Sequence, residues 1–306
     1  METPFEFDAS CKKLSPEGKA PAPARSPTVL VFDSGVGGLS IAQALVEHLP
    51  YVDIVYAADN QEFPYGTKTE SELVQRIDYI LHAFQKACSA DLIVVACNTA
   101  STIALPSVRQ RFHQPIVGVV PAIKPAASLS HSKTIGLLAT PGTISRDYTD
   151  ALIQEFAHDC TVIKCGSRGL VEFAEQKIQG LLASTNDDGS TTMSQLPTYL
   201  IDELQPLITA QSAGMDTVVL ACTHFPLVKA ELQRLMPEVK HWVDSSKAIA
   251  RRVEYLLHHE FNLQAPTELQ TKPNYRSLFS AQPQNLPSLL NYLSDWFGES
   301  WSVVNQ

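Results

Sequence analysis

Short uninterrupted runs of aliphatic and β-branched residues recur along the chain. Between them, apolar residues return every three or four positions. The runs at 28–32 (TVLVF), 53–58 (DIVYAA), 92–96 (LIVVA), 115–120 (PIVGVV), 134–139 (TIGLLA), 160–164 (CTVIK) and 217–221 (TVVLA) predict strands. Most lack polar alternation, which fits strands covered on both faces, as in parallel sheets. The three-to-four spacing predicts helices at 39–49, 70–88, after Ala104, and at 145–156, 170–179, 197–210, 226–235, 247–258 and 286–296. Pro206 would kink its helix. Short strands are expected at 241–243 and 276–280.

Strands alternating with helices make an α/β fold, a mostly parallel sheet flanked by helices. The pattern starts at Thr28 and restarts at Thr134, and 134–224 repeats the organisation of 28–99. We therefore expect two similarly organised α/β domains, 28–121 and 122–229. Residues 230–306 would return to complete the first. Residues 1–27, polar and broken by Pro16, Pro21, Pro23 and Pro27, predict a loosely ordered arm. Residues 184–194 read as a surface loop, and 266–273 are polar.

Composition narrows the class without naming it. A chain of 306 residues, 44% hydrophobic and 18% charged, is an ordinary globular protein with ample core. A net charge of −9 argues against a nucleic-acid surface. No run of about 18 apolar residues predicts a membrane span, and no basic-then-apolar stretch at the N-terminus predicts a secretory signal. The six cysteines form no Cys-x-x-Cys pairs, so free thiols in a reducing cytoplasm are expected.

Two of the strand-like runs end alike, one on Ala96-Cys97-Asn98-Thr99 and the other on Ala221-Cys222-Thr223-His224. Ligands collect at the carboxyl ends of strands in open α/β sheets. Two thiols facing one pocket from opposite sides could take a proton from one face of a carbon and return one to the other. Cysteine suits that task because its acidity is tunable by a helix N-terminus or a polar neighbour. His224 is two residues from Cys222. Asp33, at the end of a parallel strand, can lie beside Cys97 and assist it. Each residue also has a plain reading. A cysteine alone is a small buried hydrophobe, Asp33, Asn98, Thr99 and Thr223 can cap helices, and His224 can be a core histidine.

Two loops add candidates. Asp33-Ser34-Gly35-Val36-Gly37-Gly38 follows the first strand; it matches neither a P-loop nor a dinucleotide fingerprint, but it lets an anion approach backbone at a helix start. Pro64-Tyr65-Gly66 offers a phenol and backbone amides to a carboxylate, or is simply a turn. Thr140-Pro141-Gly142-Thr143 is the corresponding hydroxyl-bearing loop of the second half. Zinc ligation by Cys97, Cys222 and His224 lacks a fourth ligand. A Cys–His hydrolase needs one essential cysteine rather than two, and a non-catalytic binding protein needs neither.

Together the Asp33–Gly38, Pro64–Gly66, Ala96–Thr99 and Ala221–His224 motifs resemble the signatures of the glutamate racemases, within the cofactor-independent Asp/Glu racemase superfamily. The similarity runs from about Thr28 to Ile249, and it implies a pseudo-symmetric pair of α/β domains with the active site between them. The resemblance implies conversion of L- to D-glutamate for peptidoglycan, with no cofactor and no metal; aspartate racemase is the nearest alternative. It implies that Cys97 acts on D-glutamate and Cys222 on L-glutamate, with Asp33 and His224 as assistants. It implies substrate contacts from Ser34, Pro64, Tyr65, Gly66, Asn98, Thr99, Thr140, Thr223 and His224. A further catalytic glutamate in a Leu-Val-Glu context falls on Glu172, with Glu175 one turn on as the other choice. The long N-terminal arm resembles the enterobacterial type, whose activator is UDP-N-acetylmuramoyl-alanine.

Overall fold

The computed structural model describes residues 26–182, 196–261, 263 and 272–304. The arm expected over 1–27 lies almost wholly outside the described residues, as do the loop at 184–194 and most of 266–273.

Two sheets carry the chain. The first receives β1 (Thr28–Asp33), β2 (Asp53–Ala58), β3 (Leu92–Val95) and β4 (Ile116–Gly118). The second receives β5 (Thr134–Ala139), β6 (Thr161–Gly166), β7 (Thr217–Ala221) and β8 (His241–Val243), and the chain then returns with β9 (Tyr275–Phe279) and β10 (Trp301–Val303). The spatial orders are β10-β9-β2-β1-β3-β4 and β6-β5-β7-β8, and the strand pairs are parallel. β1 shows why an unbroken apolar run suits this place. Val29 and Val31 face one core and Leu30 and Phe32 the other, all fully buried.

The topology positions the cysteines. β1 lies between β2 and β3, and β5 between β6 and β7, so in each sheet the chain reverses its direction of travel beside its first strand. A crevice opens at such a switch point, at the carboxyl ends of the strands. Cys97 and Cys222 follow β3 and β7 at those two places.

Several elements differ from their sequence pattern. The helix expected after Ala104 starts at Asn98, directly behind Cys97, and runs to Arg111. Its buried face is Asn98, Thr99, Ala100, Ser101, Ala104 and Val108, too small and polar to register as an apolar stripe. Cys222 is followed not by an α-helix but by the 3₁₀ turn Phe225–Val228, with Pro226 at its start, and the α-helix begins at Lys229. The helix Ile123–Leu129 and the three-residue β10 were not expected. The chain also leaves the second sheet later than residue 229, because β8 pairs with β7. Beyond β8, the helix Ser246–Phe261 buries Ile249, Val253 and Leu257 in the core that holds Ile41 and Leu45 of the helix Leu39–His48. β9 then pairs with β2. Among the described residues no helix is long and apolar enough to cross a membrane.

Candidate active site

β1 delivers Asp33 to the first switch point. Phe32 pairs with Val95, and continuing that register sets Asp33 and Ser34 beside Ala96 and Cys97. Ser34 Oγ lies 3.9 Å from Cys97 Sγ and donates to Asp33 Oδ1 at 3.2 Å. The backbone N–H of Ser34 donates to the same oxygen at 2.5 Å. Asp33 is fully buried, and its Oδ2 accepts from Thr223 Oγ1 of the other half at 2.9 Å.

The second switch point is built on the same plan with different chemistry. Ala139 pairs with Ala221, so Thr140 stands to Cys222 as Ser34 stands to Cys97. The place of Asp33 is taken by Ala139. The polar neighbour of Cys222 comes instead from its own strand end, where His224 Nδ1 lies 3.8 Å from Cys222 Sγ. His224 Nε2 is 2.9 Å from Glu175 Oε2. Glu175 belongs to the helix Gly169–Ile178; its Oε2 also accepts from the Val36 N–H at 3.0 Å, and its Oε1 from Gln179 Nε2 at 2.9 Å. The glycine turn after β1 thus spends an amide on a carboxylate of this chain. Gly37 makes the approach possible: a Cβ there would lie 2.6 Å from Thr223 Oγ1 and would also clash with His224 Nδ1.

A cavity of about 400 Å³ joins the halves. Ser34, Cys97, Asn98 and Thr99 line it from one side, Thr140, Cys222, Thr223 and His224 from the other, and Pro64, Tyr65 and Gly66 from the loop after β2. Asp33 stands behind this lining and reaches Cys97 through Ser34. The phenol of Tyr65 is not free for a ligand, because it donates to Asp59 Oδ2 at 2.7 Å. Asp59 is in turn gripped by Arg76 at 2.8 and 2.6 Å, which fixes the loop. Thr140 Oγ1 caps its own helical turn, accepting from Thr143 N–H at 3.2 Å. Asn98 Oδ1 is buried without a hydrogen-bond partner among the described residues.

Glu172 requires a correction. It lines the cavity, but its hydrogen bond is to Arg168, at 3.1 Å, and the carboxylate on His224 is Glu175. The helix turns Leu170, Val171, Phe173, Ala174, Glu175 and Ile178 inward, which leaves Glu172 on the rim. The sequence reading also missed Phe63, Thr67, Pro141, Arg168 and Val171 on the cavity wall. Phe63 and Thr67 flank the Pro64–Gly66 motif, and Pro141 and Val171 lie inside motifs already singled out. Arg168 stood in a loop with no pattern to mark it.

The electrostatics of the two halves differ. Burial pushes the Cys97 thiol well above its usual range, and the nearby Asp33 charge adds to this. Burial likewise raises the Asp33 carboxyl, against the pull of His224, Thr223 and the Ser34 amide. Burial disfavours charge on His224, but its hydrogen bonds to Cys222 and Glu175 and their charges outweigh that and hold the imidazole well above its usual value. The site therefore keeps a proton on His224 and one on Cys97 at neutral pH. Among the described residues no group of three or more His, Cys, Asp or Glu side chains is gathered to hold a metal ion.

Two thiols thus line one cavity from pseudo-equivalent places, each beside its own polar neighbour. The family model for Asp/Glu/Hydantoin racemase matches residues 37–253. A glutamate racemase of Sodalis glossinidius (strain morsitans) is 44% identical over 88% of this chain and 89% of its own length. One from Histophilus somni (strain 129Pt) is 44% identical over 91% and 96%. The crystal structure of Escherichia coli glutamate racemase in complex with L-glutamate and the activator UDP-MurNAc-ala superposes with a TM-score of 0.77 at 42% identity, covering 92% of this chain and 98% of that one. The chain belongs to the Asp/Glu/Hydantoin racemase family.

Proposed function

We propose that the protein interconverts L- and D-glutamate by two-base proton transfer between Cys222 and Cys97, supplying D-glutamate for peptidoglycan. The observation that carries this reading is the placement of both cysteines at equivalent switch points on one cavity. Glutamate, rather than aspartate, is taken from the relatives, which are glutamate racemases.

In the L-to-D direction Cys222 starts as a thiolate paired with the imidazolium of His224, which Glu175 positions. The thiolate removes the α-proton from one face. Negative charge develops on the α-carbon and its carboxylate, where Asn98 and Thr99 on the cavity wall offer donors. Cys97, held as a thiol, delivers its proton to the opposite face. Cys222 is then a thiol and Cys97 a thiolate. In the D-to-L direction Cys97 must first lose its proton, and the buried Asp33 carboxyl receives it through Ser34 Oγ. Tuned neighbours of this kind match proton affinities to the step they serve. We carry over from the Escherichia coli enzyme activation by UDP-N-acetylmuramoyl-alanine.

The test is incubation of the purified protein with L-glutamate, followed by optical rotation, with and without the activator. Rotation should decay to zero, unaffected by a chelator or a carbonyl reagent. Loss of activity on chelation would sink the cofactor-free mechanism and favour a metal site. No change in rotation under any of these conditions would sink the activity.

A further inference from the structure

We infer that Lys177 is a positioning residue for proton transfer: paired with Glu231, it clamps the helix that carries Glu175 to the turn that carries His224. This deepens the two-base reading above and rests on it. The Glu175–His224 contact joins two separate elements, the helix Gly169–Ile178 and the turn that follows β7. It survives only while both keep their places. The turn is tied internally, with Phe225 N–H donating to Cys222 O at 3.0 Å and Leu227 N–H to His224 O at 3.1 Å. From the first half, Ser40 Oγ donates to Thr223 O at 3.0 Å. From the helix, Lys177 Nζ donates to Leu227 O at 3.1 Å. Lys177 stands two residues after Glu175. One helix therefore grips the turn twice, by a carboxylate on His224 and by an ammonium on Leu227.

Glu231 fixes the ammonium. It lies on the helix Lys229–Leu235, which continues directly from the turn, and it is only 4% exposed. Its Oε1 is 2.7 Å from Lys177 Nζ, and its Oε2 is buried without a hydrogen-bond partner among the described residues. Arg234 Nη2 is 3.6 Å from Oε1, and that side chain is exposed. Lys177 is thus the close partner of a buried carboxylate. Such a pair is weak evidence for stability, because the cost of desolvation offsets the attraction. It does give the ammonium one place, and so sets the helix against the turn. The ionisable groups that face His224 are Cys222 from its own turn, Glu175 from the helix and Asp33 from β1. Lys177 acts on the imidazole through Glu175 and the turn.

Lys177→Met alone would strand a buried carboxylate, so the test uses the full-length double variant Lys177→Met/Glu231→Leu, with Lys177→Arg beside it. Removing both charges leaves no buried unpaired ion, and thermal unfolding checks the fold. NMR titration of His224 in the unliganded protein should move down by about one unit in the double variant, as the Glu175 contact loosens. Loss of the Lys177 charge by itself would move it up, so the sign separates positioning from a direct field. Elimination from a β-substituted L-substrate, which Cys222 starts, should slow about tenfold, short of the roughly hundredfold cost of a 1 Å displacement. The D-substrate should react at the wild-type rate. Lys177→Arg keeps the charge and the donors and should stay near wild type in both readouts. An unmoved or raised His224 titration in the folded double variant, or equal slowing of both enantiomers, overturns the inference. Failure of the wild-type protein to racemise glutamate overturns the functional reading instead, and the titration still decides whether Lys177 positions the dyad.

Discussion

Thr223 Oγ1 donates to Asp33 Oδ2 across 2.9 Å, joining the residue after one cysteine to the carboxylate beside the other. Each residue comes from a different sheet, so the two proton-handling halves share a hydrogen bond at their point of contact. Asp33 also accepts from Ser34, which faces Cys97. The carboxylate is therefore placed to hold the proton that Cys97 must shed before it can act as a base.

Asp33→Asn should lower racemisation about a hundredfold by removing that proton acceptor. The enantiomers are equal in energy, so kcat/KM must fall equally in both directions. The difference between the halves appears in partial reactions. Elimination from a β-substituted D-substrate should slow more than from its L-counterpart. Equal slowing would detach Asp33 from Cys97.

Glu175→Gln should move the alkaline limb of the kcat/KM profile to lower pH. The negative Glu175 raises the His224 imidazole by hydrogen bonding and charge. Without it the imidazole loses its proton at lower pH, and the thiolate–imidazolium pair is lost earlier. NMR titration of His224 alongside the rate profile checks the sign. An unmoved limb would mean that the Glu175 contact does not set the charge of His224. Glu172→Gln should leave the limb in place.

Gly37→Ala should cost about a hundredfold in turnover, the scale expected when a catalytic group is displaced by about 1 Å. The added methyl would overlap Thr223 and His224 at once. Overpacking of this kind also destabilises, by about 1–3 kcal/mol. Kinetics together with thermal unfolding separate the two effects. Wild-type turnover in a folded variant would show that the His224 position is not critical.

The parallel sheets and the two cysteine-bearing strand ends were legible because a strand buried on both faces has an unbroken apolar signature. The start of the helix at Asn98 was not legible, since its inward face is made of Asn98, Thr99, Ala100 and Ser101 and carries no apolar stripe. β10 is three residues long and half-exposed or exposed, below the length at which a pattern forms. The choice between Glu172 and Glu175 turns on which face of one helix is buried. Both sit in similar sequence surroundings, and only the packing against the glycine turn at Val36 separates them. Arg168 acquires meaning solely from the cavity it borders. The commitment of Tyr65 to Asp59 likewise depends on side-chain packing, with Arg76 of the following helix, Glu70–Cys88, holding Asp59 in place.

The central claim is that Cys222 and Cys97 act on opposite faces of one α-carbon. Elimination of a β-leaving group needs only proton abstraction, so each enantiomer reports on one thiol. Run with both enantiomers of such a substrate on Cys97→Ser and Cys222→Ser, the reaction reads the two bases separately. A serine hydroxyl is a far weaker base than a thiolate, and each unit of difference in pKa corresponds to about 1.4 kcal/mol. The account predicts that Cys222→Ser loses elimination from the L-substrate and keeps it from the D-substrate, and that Cys97→Ser does the reverse. The same enantiomer preference in both variants would contradict it.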